Sequence, residues 1–124
     1  MTTITRMPPQ GPEKTQAMIE IEGYLRHAHE KYLSQQTSPW RKWKELAKAA
    51  DLPKNSSVHV REAVSLLVRY HRARIVTHPK LGYCWAYNPG LVKKDIDRLQ
   101  QRIDIMTARL EALHRVHDEM EKEL

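Results

Sequence analysis

The side chains with the most distinctive chemistry in this chain stand close together, between Asn55 and Arg61. Asn55, Ser57, His59 and Arg61 all carry hydrogen-bond donors. Arginine can form two parallel hydrogen bonds with the edge of guanine, and asparagine can do so with adenine, while serine or histidine can contact a base or a phosphate. Each of these residues taken singly fits an ordinary exposed polar residue equally well, so it is their grouping that favours polar recognition.

No comparable group of residues in the sequence indicates catalysis or metal binding. Cys84 is the single cysteine, which excludes an internal disulfide, and it lies in a predicted strand, where a small packed side chain is the expected role. His27 and His29 are two positions apart, so they do not form the i, i+4 pair that is typical of helical metal sites. The sequence contains no glycine-rich phosphate loop and no nucleophile with an evident base. We therefore expect neither an enzyme nor a bound metal or other cofactor.

Positive charge is concentrated in the middle of the chain. The net charge of the 124 residues is +6. Residues 39–90 carry ten Lys or Arg against three acidic residues, a balance of +7, whereas residues 1–38 are neutral and residues 91–124 carry −1. A surface of this kind binds phosphates with release of counterions, which is a main source of affinity for nucleic acids. A surface that only keeps the protein soluble is the alternative explanation.

Two helices are predicted from the spacing of apolar residues around the basic segment. In residues 15–34, apolar residues recur every three or four positions and define one buried face. The polar stretch 55–57 can cap a second periodic segment, which continues to about residue 72. Both segments are expected to pack on a common core.

A shorter helix is predicted between these two. Ser38 can cap it, Pro39 suits its first position, and it runs to about residue 50. Trp40 and Trp43 are in register with its apolar face. This register favours core packing of both tryptophans over the alternative, in which they are exposed platforms for stacked nucleobases.

A β-hairpin is predicted after the third helix. Residues 74–78 and 83–87 are rich in β-branched and aromatic residues, and residues 79–82 contain the proline and glycine that suit a turn. If His78 opposes Tyr83, one side of the hairpin is aromatic and the other carries small side chains.

This order of elements resembles the winged helix-turn-helix family of DNA-binding domains. The resemblance covers roughly residues 16–88, with residues 45–52 similar to the positioning helix and residues 56–72 similar to the recognition helix. It implies that the start of the recognition helix enters the major groove and that the hairpin reaches a phosphate or the minor groove. The residues assigned to DNA contact on this basis are Lys44, Lys48, Asn55, Ser57, His59, Arg61 and Lys80.

The most regular pattern in the sequence lies in residues 91–124. Apolar residues recur there at alternating steps of four and three, which is the heptad pattern of a coiled coil. A helix of this length spans about 50 Å, so a homodimer is favoured over folding back on the first helix, and parallel and antiparallel pairing both remain open. His117 is a polar interruption that could set the register or weaken pairing when it is protonated. The predicted seam consists of Ile96, Leu99, Ile103, Met106, Leu110, Leu113, His117 and Met120.

The sequence thus predicts a mainly α protein with a small β-hairpin, an α+β fold. Residues 1–14 are expected to form a disordered arm, residues 15–90 a winged helix-turn-helix domain and residues 91–124 a coiled-coil helix. Together with the predicted coiled coil, the resemblance implies a dimeric, sequence-specific double-stranded DNA-binding protein, most simply a transcriptional regulator. One alternative is a phage or plasmid replication or packaging adaptor that binds DNA and oligomerises. Another is a protein-interaction module without nucleic-acid binding. With no apolar span or signal segment, a soluble, cytoplasmic, DNA-bound protein with no membrane partner is expected.

Overall fold

The computed structural model describes residues 12–124, so residues 1–11 of the predicted arm lie outside the described residues. The described chain is mainly helical, with one antiparallel two-stranded hairpin and a long C-terminal helix, which confirms the α+β prediction at this level. In chain order the elements are α1 (Gln16–Gln35), α2 (Trp43–Ala49), α3 (Ser57–His71), β1 (Ile75–His78), β2 (Gly82–Trp85) and α4 (Pro89–Lys122).

Helices α1, α2 and α3 pack around one apolar core, into which their predicted apolar faces point. Met18, Ile21 and Leu25 of α1 are almost wholly buried. Leu46 of α2 and Leu67 of α3 belong to the same buried cluster. Burial of each such side chain contributes about 1.5–3 kcal/mol, so this cluster is the main force that holds the three helices together.

Helix α2 begins at Trp43, and the prediction that it begins at Pro39 after a Ser38 cap is wrong. The backbone of Arg41 instead pairs with that of Tyr83 in β2, through N–H···O distances of 2.7 and 2.8 Å in the two directions. Such pairing requires an extended backbone at Arg41. The helix can therefore start only after this residue.

The two tryptophans next to Arg41 consequently have different environments. Trp43 is half-buried against the apolar core, as predicted. Trp40 precedes the helix, and its ring lies edge-on to the imidazole of His78, with 5.9 Å between the ring centroids. The prediction that both tryptophans share the buried face of α2 is wrong for Trp40, because the pairing of Arg41 keeps it outside the helix.

The hairpin is shorter than predicted and its register differs by one residue. His78 pairs with Gly82 rather than with Tyr83. The turn therefore contains three residues, and Nδ1 of His78 accepts hydrogen bonds from the backbone N–H groups of Lys80 and Leu81, at 3.1 and 3.2 Å. Gly82 has φ +98°, a left-handed conformation that favours glycine. It is the first residue of β2 and not the last residue of the turn.

The segment between α2 and α3 is held by contacts that differ from the predicted cap. Ser56 is buried, and its hydroxyl donates to the carbonyl oxygen of Pro53 instead of accepting from the first turn of α3. Asp51 has a left-handed backbone with φ 54°, which aspartate tolerates better than most residues. Helix α3 nevertheless matches the predicted range of residues 56–72 to within one residue at each end.

The C-terminal helix α4 is continuous, and its first turns dock on the hairpin. The carboxylate of Asp95 accepts hydrogen bonds from the backbone N–H and from the hydroxyl of Thr77, at 3.1 and 3.2 Å. The guanidinium of Arg98 donates to the carbonyl oxygen of Thr77. The amino-terminal end of α4 is thus fixed to the body of the protein, while every residue of the predicted seam is exposed in the single chain.

Replacing Asp95 with alanine is expected to lower the free energy of unfolding by about 1–3 kcal/mol, because the partly buried N–H of Thr77 loses a charged acceptor. Urea denaturation measures the stability change, and the exchange rate of the Thr77 amide with solvent should rise. Asp97→Ala is the matched control, since its carboxylate forms a pair with Lys93 on the exposed surface and should contribute less than about 0.5 kcal/mol. Unaltered exchange at Thr77 in the Asp95 variant would show that this contact does not dock α4.

Candidate functional site

Three of the predicted DNA-contact residues lie in one concave surface between α2 and the start of α3. We call this surface the turn groove, and Lys44, Lys48 and Asn55 line it together with Lys54. Trp43 also lines the groove, and the ammonium group of Lys44 lies 5.9 Å from the centre of its ring. The structure therefore brings two predicted cations and the predicted asparagine to one place.

A second concave surface lies between the hairpin, the start of α2 and α4, and we call it the hairpin groove. Lys80, the predicted hairpin contact, lines it together with Lys42, Arg98 and Arg102. The ammonium group of Lys42 donates to the carbonyl oxygen of Lys80. The two lysines are thus held next to each other at the tip of the hairpin, where their positive charges add.

The third and most apolar surface is the central groove, which separates the outward side of α3 from α4 and has a volume of about 730 Å³. Arg61 lines it together with Arg69 and Arg102, and Tyr83 lies at its hairpin side. Burial raises the pKa of the Tyr83 hydroxyl, and the positive charge of Arg61 partly offsets this rise. Arg61 therefore lies within electrostatic range of Tyr83.

The three grooves adjoin and form one surface, which we call the basic strip. Trp43 belongs to both the turn groove and the hairpin groove, and Tyr83 and Arg102 belong to both the hairpin groove and the central groove. Three acidic residues line the strip, Asp51, Glu62 and Asp95, and the last of these is hydrogen-bonded to Thr77. The nine cations that line it are Lys42, Lys44, Lys48, Lys54, Arg61, Arg69, Lys80, Arg98 and Arg102.

Not all of the predicted contact residues belong to this surface. Ser57 and His59 line none of the three grooves, although His59 is exposed. Asn55 and Arg61 lie in different grooves. They therefore do not form the single cluster of base-contacting side chains that their closeness in sequence favours. Asn55 precedes α3, and within α3 helical rotation separates His59 from Arg61, because residues two apart on a helix point about 200° away from each other.

The predicted DNA contacts do not include five cations of the strip, which are Lys42, Lys54, Arg69, Arg98 and Arg102. Arg98 and Arg102 stand four residues apart on α4, so one side of the helix carries both. That spacing was a signal available in the sequence. No sequence pattern indicates that this side of α4 faces the hairpin, because the contact depends on Asp95 and Thr77.

Cys84 is buried, and burial raises the pKa of its thiol to about 12. Within residues 12–124, no three His, Cys, Asp or Glu side chains are grouped so that they could hold a metal ion. In the same range, no helix has the length and apolar content needed to cross a membrane.

Comparisons of this chain with protein-family models, curated proteins and solved structures gave no match.

Proposed function

We propose that this protein is a winged helix-turn-helix protein that binds double-stranded DNA as a homodimer, most simply as a transcriptional regulator. The observation that carries the proposal is the basic strip, where nine cations from α2, α3, α4 and the intervening segments line adjoining grooves with three acids. A surface of this charge gains affinity for a duplex from the release of counterions, whatever the sequence of the duplex.

Arg61 is the residue to which we assign base reading. It is exposed on the outward side of α3, within the first two turns of that helix. The early part of this helix is the part that enters the major groove in helix-turn-helix proteins, and arginine there pairs with guanine. Lys44 and Lys80 lie in the turn groove and the hairpin groove, where they would hold phosphates and so orient α3.

Selection of preferred sites from random duplexes tests this division of roles. Arg61→Ala is expected to lose about 1–3 kcal/mol of discrimination at one base position, because the bidentate pair is lost. Lys44→Ala and Lys80→Ala are expected to weaken binding to all duplexes alike and to reduce the slope of log affinity against log salt by about one unit each.

Lys31→Ala is the matched control for the lysine variants. Lys31 is an exposed cation of α1 and lines none of the grooves of the basic strip. Its replacement changes the net charge by the same amount but should leave the salt slope unchanged. An equal loss of slope in all three lysine variants would mean that general charge attracts DNA and that the strip is not the binding surface.

The homodimer in this proposal rests on the apolar stripe of α4. The residues of the predicted seam follow one side of the helix, and each is exposed in the single chain. A continuous exposed apolar surface of this extent is typical of an interaction site. A two-fold dimer would present two copies of α3 to a pseudo-palindromic duplex, which suits sequence-specific regulation.

A protein-interaction module is the second candidate, and one observation favours it. Val58 and Val68 on the outward side of α3 are 59% and 43% exposed, and with Leu99 they give the central groove an apolar lining. Such an apolar groove suits the apolar side of an amphipathic helix from a partner protein. Binding to random duplex that weakens steeply with salt separates the two candidates, because only the DNA-binding protein should show it.

A further inference from the structure

The two ends of α4 carry opposite charge. Residues 92–102 contain four Lys or Arg and two acids, and residues 114–124 contain two Lys or Arg and four acids. One of the acids near the start, Asp95, is already bound to Thr77 within its own chain. Two such helices paired in parallel would place like charges side by side at both ends. Antiparallel pairing instead places each positive end beside a negative one, which is the arrangement that charge complementarity favours.

Antiparallel pairing also matches every apolar layer of the stripe. The stripe is the predicted seam extended by Val92 and Leu124, and it alternates between the d and a positions of the heptad, with Val92 at d. With the two-fold axis at residue 108, each a residue faces a d residue of the second copy. A shift by one heptad in either direction leaves layers uncovered, so this register buries the most apolar surface. Taking one residue from each copy, the facing pairs are Ile96 with Met120, Ile103 with Leu113, Leu110 with Met106, His117 with Leu99, and Leu124 with Val92.

The position of His117 also favours antiparallel pairing of the two α4 helices. Its ring nitrogens lie 3.3 Å from the carboxylates of Asp118 and Glu121 on its own helix. A parallel pair would bring the two His117 rings into one layer, together with these carboxylates. The antiparallel register puts each ring against the partner's Leu99, so the seam does not have to accommodate two polar rings in one layer.

A groove beside the start of α4 is suited to receive the acidic end of a second copy. It lies between α1, the end of β2 and the first two turns of α4. Leu33 is 67% exposed there, and together with Val92 and Ile96 it makes the walls apolar. Arg74 and Lys93 supply positive charge in the same groove. Its apolar walls and cations are complementary to a helix end that is apolar on one side and acidic on the other.

We propose that two copies of this chain pair antiparallel through α4, with the acidic carboxyl end of each helix seated in the groove beside the start of the other. The inference rests on the proposed homodimer. It adds the relative orientation of the two α4 helices, their register, and the groove that binds the end of each helix. The apolar layers place the partner's Met120 and Leu124 against the walls of the groove, and the partner's Glu121 beside Lys93. The bodies of the two copies then lie at opposite ends of a paired helix about 50 Å long.

Disulfide cross-linking of the full-length chain tests this orientation. Ile103→Cys is prepared with an affinity tag and Leu113→Cys without one, and the two variants are mixed, allowed to exchange subunits and oxidised at about pH 8, where an exposed thiol reacts. The antiparallel register brings these two positions face to face. The mixed disulfide should then exceed either like-with-like disulfide by at least about tenfold, since facing thiols react at a millimolar effective concentration.

The native Cys84 stays in place, because it is buried and its high pKa keeps it protonated. Ile105→Cys, an exposed position off the stripe, is the control and should cross-link with neither variant. Like-with-like disulfides in excess would mean that the tails pair in parallel, which overturns the inference and leaves the homodimer intact. A monomeric wild-type chain in sedimentation at the same concentration would overturn the homodimer itself, and the inference with it.

Discussion

Replacing Gly82 with alanine is expected to lower the free energy of unfolding by about 2–4 kcal/mol, a large effect for one methyl group. Gly82 has φ +98°, which alanine adopts only with strain. An added Cβ would lie 2.3 Å from the carbonyl oxygen of Arg41, a backbone atom that cannot rotate away. Relief of this overlap separates Arg41 from β2 and removes its two hydrogen bonds to Tyr83.

Urea denaturation of the variant measures the effect, with Gly23→Ala as the matched control. Gly23 is exposed inside α1, and an added Cβ there meets nothing within 4 Å. Alanine at that position should raise the free energy of unfolding by about 0.5–1 kcal/mol, because it favours the helix. The two substitutions should therefore have opposite signs. A stable Gly82→Ala protein would show that the close approach of Arg41 is not required for the fold.

The contrast between α1 and the hairpin shows what the sequence could reveal about this fold. The buried face of α1 follows from local spacing, since residues three and four apart share one side of a helix, and Met18, Ile21 and Leu25 are buried as predicted. The pairing of Arg41 with Tyr83 joins residues 42 positions apart along the chain and leaves no periodic trace. Because of this pairing, α2 begins at Trp43 and not at Pro39.

The hairpin register shows a similar limit. A four-residue turn and a three-residue turn both suit a proline followed by a glycine three positions later. The choice between them depends on Gly82, whose positive φ brings it close to the backbone of Arg41, and on the imidazole of His78, which accepts hydrogen bonds inside the turn. Neither contact could be read from composition or spacing.

The candidate site was partly predictable for the same reason. Lys44, Lys48 and Asn55 come together because α2 and the turn after it are local structures. Arg98 and Arg102 join the basic strip because Asp95 of α4 binds Thr77 of β1. That is one polar contact between distant parts of the chain, whereas sequence patterns record mainly repeated apolar spacing.

Replacing Ile103 with lysine is expected to raise the dissociation constant of the proposed dimer by about a hundredfold or more. Ile103 lies in the stripe of α4, so each copy in the dimer would lose about 1.5–3 kcal/mol of apolar burial and gain a desolvated charge. Sedimentation over a range of concentrations measures the dissociation constant. Among single substitutions in the stripe, the largest loss of dimer affinity is expected near the middle of the helix. The apolar layers on both sides of such a position would also be buried in the dimer.

Ile105→Lys is the control that makes this result decisive. Ile103 and Ile105 are 54% and 63% exposed in the single chain and stand on the same helix, but only Ile103 belongs to the stripe. If the chain does not pair through the stripe, the two substitutions should have the same effect in sedimentation. If it does, only Ile103→Lys should raise the dissociation constant. Equal dissociation constants for the two variants would place the interface elsewhere.

The same pair of variants also tests whether the proposed DNA binding depends on the proposed dimer. Both add one positive charge to α4, so the attraction of each copy to phosphate changes equally. A duplex with one half-site should therefore bind the two variants alike. A duplex with two half-sites should bind Ile103→Lys more weakly than Ile105→Lys, because only the latter keeps both copies of α3 on one particle and retains the gain in effective concentration. A difference on the single half-site would mean that α4 itself contacts the DNA at residue 103 or 105.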